Sequence, residues 1–125
     1  DLSKEYIEIE DKDYAIWYTD MNEDEEKYYG KTMKIKGRSL IGGGLEENEF
    51  VIGRHIMTCC VEDITFGGLV AKYDKAQELD HGGWVVMTAE VKKEFNAMYQ
   101  GMGPVFHVIN VEKVDAPEED VATFY

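Results

Sequence analysis

Cysteine, positive charge and long apolar runs are what this chain has least of. Two cysteines in 125 residues exclude a disulfide-framework protein. They are neighbours, Cys59 and Cys60, so a bridge between them would close a strained small ring far from ordinary disulfide geometry. Cysteine usage therefore leaves the redox compartment open. No apolar run approaches the ~20 residues that a membrane helix needs, so this chain is not expected to insert directly into a bilayer. Basic residues number 13 against 26 acidic ones, for a formal net charge of −13. Such a surface repels phosphate backbones and anionic membranes, which argues against a nucleic-acid partner. It suits attraction of cations, although its ordinary effect is solubility.

Several motifs are missing as well. The acidic stretch Asp20 to Glu26 lacks the ligand order of an EF-hand, and no Lys-Ser/Thr follows Gly42-Gly43-Gly44 as a phosphate loop requires. Neither a C-x-x-C pair nor an H-x-x-x-H spacing occurs. There is no internal repeat and no low-complexity segment. The first residue is Asp1, without a start methionine or visible signal peptide, and the expectation is a processed product or a piece of a longer protein.

What is present suits one globular domain. A hydrophobic fraction of 44% with 12% aromatics is enough for a single modest core at this length. Tyr6-Ile7-Glu8-Ile9-Glu10 alternates like a short half-exposed strand. Asp11 or Asp13 is placed to cap a helix from about Tyr14 to Tyr28, with Ile16, Trp17 and Met21 as its apolar stripe and Gly30 as its terminator.

From Lys31 the period changes to that of β-strands. Lys31 to Gly37 alternates strictly, and Gly37 is expected to bend or bulge the strand. Gly42 to Asn48 reads as a turn, and Phe50 to Val61 as a long second strand. Gly67-Gly68 reads as a turn into a third strand, Leu69 to Tyr73. After a polar connection, Trp84 to Val91 is a fourth strand. A loop over Asn96 to Gly103 leads to a fifth, Pro104 to Val114. The acidic tail after Pro117 is expected to be peripheral.

Five strands at this spacing predict an all-β protein with a small helical addition, a five-stranded OB-like Greek-key barrel preceded by an N-terminal strand-helix unit. A generic antiparallel sandwich is the alternative. The chain is expected to form one domain: an extension over residues 1–29, the barrel over 30–115 and a tail over 116–125.

Reactive chemistry concentrates in one block, Gly53-Arg54-His55-Ile56-Met57-Thr58-Cys59-Cys60-Val61-Glu62-Asp63. Three readings of it stay open. Cys59, Cys60, His55 and Asp63 supply the thiolate, imidazole and carboxylate donors that zinc or another divalent metal accepts at about 2.0–2.3 Å. On a regular strand, however, neighbouring side chains point to opposite faces, so both thiols serve one ion only if the strand ends or bulges there.

In the second reading Cys59 or Cys60 is a redox or sensor thiol whose acidity Arg54 and His55 increase. No base or oxyanion donor converges on it in the sequence, so a catalytic role is not expected. In the third, the block is structural. One thiol packs as a small hydrophobe and Arg54 pairs with Asp63 across the strand end. Arg54, His55, Thr58, Cys59, Cys60 and Asp63, with Trp84 as a core anchor, are the candidate ligand-binding or structural residues. His107 reads as half-buried and His81 as exposed. Met57, Met87, Met98 and Met102 are scattered rather than grouped.

The order Tyr28-Tyr29-Gly30-Lys31, strand, Gly37, then Gly53-Arg54…Met57-Thr58-Cys59-Cys60…Asp63, then Gly83-Trp84-Val85, then Pro117 and Tyr125 resembles the C-terminal domain of YcgQ-type proteins, bacterial permease subunits. The resemblance covers nearly the whole chain, and the Arg…Thr-Cys-Cys…Asp block is its most specific part. Thr65-Phe66 departs from the alanine/proline-rich turn expected there. The resemblance implies a longer membrane protein carrying this domain at the extracytoplasmic face, paired with a larger permease that moves small solutes or metal ions. On that basis we expect a non-enzymatic accessory or ligand-binding domain that binds the membrane permease subunit or a small ligand, a divalent metal being one candidate.

Overall fold

A computed structural model of the chain describes residues 6–57, 62 and 64–123. In chain order it comprises β1 (Tyr6–Glu8), α1 (Tyr14–Glu23), β2 (Thr32–Leu40), β3 (Glu49–Met57), β4 (Thr65–Lys72), β5 (Gly83–Asn96), β6 (Gly101–Lys113) and β7 (Val121–Thr123), with short 3-10 turns at Asp11–Asp13, Glu25–Lys27 and Ala76–Glu78.

The strands form one sheet in the order β1-β2-β5-β6-β4-β3-β7, and a further pairing of β2 with β3 closes five of them into a ring. Around the ring β2 meets β3, β3 meets β4 and β5 meets both β2 and β6, all antiparallel. Only β4 and β6 run parallel, through Ala71↔Phe106 and Lys72↔His107. This is the expected Greek-key connectivity of an OB-like barrel, and the sandwich alternative is set aside because a closed ring joins all five strands.

The period-two pattern of β2 accounts for its place. Met33, Ile35, Gly37 and Ser39 are buried and alternate with half-exposed neighbours. Pairing of β2 with β5 continues in register through Gly37↔Val85, so Gly37 does not bulge. It makes room instead for β3, since a Cβ there would lie 2.9 Å from the Gly53 carbonyl oxygen.

Strands β1 and β7 fill the two half-gaps of the β2–β3 seam. Because β2 and β3 pair only over Arg38↔Gly53 to Leu40↔Val51, the start of β2 and the end of β3 are left with free edges. β1 pairs in parallel with β2 over Tyr6↔Thr32 to Glu8↔Lys34, and β7 in parallel with β3 over His55↔Val121 to Met57↔Thr123. Glu118, Glu119 and Asp120 are exposed, but the chain beyond them rejoins the barrel, and Ala122 belongs to the core.

Helix α1 is shorter than expected, ending at Glu23, and no side chain caps its start. Asp13 makes no capping bond, and Asp11 turns to Arg54 instead. Its buried residues are Tyr14, Ala15, Trp17 and Met21, whereas Ile16 is exposed. Tyr14, Trp17 and Met21 share a single cluster with the barrel interior, with Trp17 stacked on Phe106 at 6.4 Å.

Gly67-Gly68 is not a turn but lies within β4, where the helix approaches. Tyr14 donates its hydroxyl to the Gly67 carbonyl at 2.8 Å, and a Cβ on Gly67 would sit 2.7 Å from the Tyr18 ring. A glycine pair that reads as a break in the sequence thus serves the close approach of an aromatic helix.

Candidate functional site

Of the residues singled out from sequence, Arg54, His55 and Trp84 lie among the described residues. Alternation along β3 sends neighbours to opposite faces: Arg54 is buried, while His55 is exposed with its ring edge-on to Phe66 at 5.2 Å. Thr58, Cys59, Cys60 and Asp63 lie outside the described residues. Among the described residues no group of three or more His, Cys, Asp or Glu side chains could hold a metal ion.

Arg54 and Trp84 do meet. The guanidinium carbon of Arg54 lies 5.0 Å from the Trp84 ring centre, and that of Arg38 lies 4.9 Å from it. Tyr14 contributes a further ring to Arg54 at 5.7 Å. Cations over an indole are held by its quadrupole. Among the described residues the carboxylate partner of Arg54 is Asp11; the pairing with Asp63 expected from sequence falls outside them. Arg54 Nη1 donates to Asp11 Oδ1 at 2.9 Å and its Nη2 to the Glu119 carbonyl oxygen at 2.9 Å. Arg38 in turn holds Asp120 at 3.1 Å and the Gly82 carbonyl at 2.8 Å. Two arginines stacked on one tryptophan thereby tie the N-terminal turn and the C-terminal segment over the mouth of the barrel.

A second constellation, which sequence reasoning missed, lies at the tip of the β5–β6 hairpin. Phe95 and Met102 are cross-strand partners, and Met98 sits in the turn between them. These three large apolar side chains are 63%, 58% and 48% exposed respectively. The β2–β3 loop reaches the same place, since a Cβ on Gly44 would meet the Met98 sulfur at 3.4 Å. In OB barrels the loop between the first two strands and that between the last two flank the ligand-binding face.

Buried polar bonds fix both loops. Asn96 donates Nδ2 to Glu49 Oε2 at 2.8 Å and accepts from the Met98 amide at 2.9 Å, while Glu49 Oε1 accepts from the Glu46 amide at 3.1 Å. Beside them Tyr99 accepts from the Val70 amide at 2.8 Å and donates to the Pro104 carbonyl at 2.7 Å. One hydroxyl so replaces a ladder rung between β4 and β6. Burial pushes the Tyr99 hydroxyl well above the ordinary tyrosine range, with the Val70 hydrogen bond opposing it, so it remains a donor at any physiological pH. Glu46 and Glu47, exposed in the same β2–β3 loop, place negative charge beside the apolar tip.

The signal for this site was the run Phe95-Asn96-Ala97-Met98-Tyr99. It reads as a loop because its apolar residues follow no strand or helix period. Only the extension of β5 to Asn96 brings Phe95 opposite Met102.

Ring and loops together define an OB-like barrel domain with a rigid apolar tip on its acidic surface. The chain matches the DUF1980 C-terminal domain over residues 1–122 and belongs to that family, the family its Arg…Thr-Cys-Cys…Asp block resembles. A search of curated proteins finds no match. Among solved structures it is similar to a putative aspartyl-tRNA synthetase from Leishmania major Friedlin, with TM-score 0.44, 11% identity and 88% of this chain covered. The chain spans 20% of that synthetase's length. It is also similar to a small single-stranded DNA-binding protein from Streptomyces coelicolor, with TM-score 0.37 and 11% identity, covering 66% of this chain and 93% of that one.

Proposed function

We propose that this domain is a non-enzymatic protein-binding module of a bacterial membrane transport system, which docks a permease subunit through the tip formed by Phe95, Met98 and Met102. One observation carries the reading: three large apolar side chains stand in water on a hairpin whose loops are pinned by buried hydrogen bonds. Grouped exposed apolar residues mark interaction surfaces, and a tip ordered in advance loses little entropy on binding. Methionine side chains adapt to the surface they meet.

Charge supports the kind of partner. A net charge of −13 disfavours nucleic acid and an anionic bilayer, and favours a protein surface with apolar pockets inside a basic rim. Resemblance to YcgQ-type proteins supports a permease in that role and the extracytoplasmic face as its place. No described helix is long and apolar enough to cross a membrane. Arg38 and Arg54 at the barrel mouth are held by structural partners, which supports binding over catalysis. A divalent metal as ligand rests on the donor types of His55, Cys59, Cys60 and Asp63. Elemental analysis of the purified chain decides it, one equivalent supporting the metal and none contradicting it.

The docking test is co-purification of the chain with the permease subunit of the same bacterium in detergent. Retention of the native chain and loss of the Phe95→Ser/Met98→Ser/Met102→Ser variant is the expected result. Equal retention of both, or of neither, contradicts it.

A further inference from the structure

β4 ends at the rung Lys72↔His107, and a cleft of about 500 Å³ lies between the segment that follows it and β6. Cationic and protonatable side chains line one part of it (Lys72, Lys75 and His107) and Tyr73, Val108 and Ile109 another. Such a volume lies within the ~300–1,000 Å³ of small-molecule sites.

Two features of the cleft bear on what it can hold. First, pairing of β5 with β6 slips between Thr88↔Asn110 and Ala89↔Val108, leaving Ile109 as an extra, bulged residue. The bulge leaves this large apolar side chain 65% exposed on the cleft wall, and bulges re-aim side chains in this way. Second, Lys75, like Lys34 elsewhere on the surface, has no ion-pair partner among the described residues, and its ammonium is free to meet an anion in the cleft. Lys72 is shared with Glu94 at 3.7 Å, and the other Glu94 oxygen is engaged by His107 Nε2 at 2.9 Å. Glu94 is thereby neutralised beside the cleft, and Asp74 is the single carboxylate among the lining residues.

We propose that this cleft binds a small organic carboxylate, with its anionic group against Lys75 and Lys72 and its apolar body on Ile109, Val108 and Tyr73. An inorganic anion would leave the apolar wall uncovered, and a neutral apolar molecule would leave the Lys75 ammonium unanswered. The proposal is independent of docking at the hairpin tip, which involves different residues.

The test is an amide NMR titration of the whole chain with benzoate as probe, and with acetate and inorganic phosphate as comparators at constant ionic strength. Saturable shifts at Lys75, His107 and Ile109 are expected with benzoate, and weaker ones with the comparators. Lys75→Gln should weaken benzoate about fivefold and Asp74→Asn should tighten it by a similar factor, as a unit charge near 4 Å in water predicts. Ile109→Ser should reduce the preference for benzoate over acetate. Lys75 and Asp74 are exposed, so unchanged circular dichroism is the check that these variants fold. Shifts that stay linear with concentration, or affinity indifferent to both charge changes, would overturn the proposal. Phosphate binding as tightly as benzoate would overturn it too.

Discussion

Arg54 Nη1 lies 2.9 Å from Asp11 Oδ1, with the arginine side chain only 1% exposed and the aspartate 45% exposed. The pair joins the turn before α1 to the interior of β3, and through the Glu119 carbonyl it also holds the segment leading to β7. Removing Asp11 leaves a buried guanidinium without its counter-charge, which is costly; the solvent already reaching Asp11 reduces that cost. Asp11→Ala should therefore destabilise the fold by about 2–3 kcal/mol in urea unfolding. The neighbouring Asp13→Ala should change it by less than about 0.5 kcal/mol. In Asp11→Ala/Arg54→Met the two losses should be less than additive, because an apolar side chain leaves no stranded charge.

A single hydroxyl bridges β4 and β6 at the seam where the barrel has few backbone rungs. Tyr99→Phe keeps the ring and orphans the Val70 amide and the Pro104 carbonyl. The expected cost is about 1–3 kcal/mol. Hydrogen exchange should localise it: the Val70 amide loses protection in the variant while amides of the β2–β5 ladder keep theirs relative to global stability.

Backbone contact between β3 and β4 leaves no room at Gly53, where a Cβ would run into the Gly67 carbonyl oxygen and lie 2.6 Å from the Gly68 Cα. Neither neighbour can swing aside as a flexible side chain would. Gly53→Ala should cost about 3 kcal/mol or more, at the upper end of overpacking effects, and Gly101→Ala, with open space around it, should be far milder. Thermal unfolding of the two variants checks the order.

These glycines also show which parts of the fold the sequence carried. Alternation in β2 and the spacing of five apolar strands follow from local period alone, and they place the barrel correctly. Gly67-Gly68 was misread because glycine marks turns and close approaches equally well; only the tertiary position of Tyr14 and Tyr18 distinguishes them. Ile16 was misplaced because α1 buries Tyr14 and Ala15 in its stead, a choice set by the barrel it enters. Asp11, which pairs with Arg54, lies far away from it in sequence, and no local rule connects them. The apolar tip escaped notice because Phe95 and Met102 become neighbours only through hairpin register.

Acid should weaken the fold partly through Glu94. Its burial works to raise the carboxyl, but the hydrogen bond and charge of His107, reinforced by Lys72, outweigh burial and hold it below the usual glutamate value. A group whose folded value is depressed contributes stability above its unfolded value, about 4.3 for glutamate, and loses it as pH falls through the folded value. Between about pH 5 and pH 3 the native chain should therefore lose stability more steeply than Glu94→Gln. Urea midpoints across that range would show it, and parallel curves would refute the linkage.

The most direct test of the docking account is equilibrium binding of the chain to its permease subunit held in nanodiscs. Saturable binding is predicted, weakened at least tenfold by Phe95→Ser/Met98→Ser/Met102→Ser, as expected for loss of clustered apolar anchors, while the melting temperature barely moves. Binding equally tight with and without the three apolar side chains, or no binding by the native chain, would contradict it.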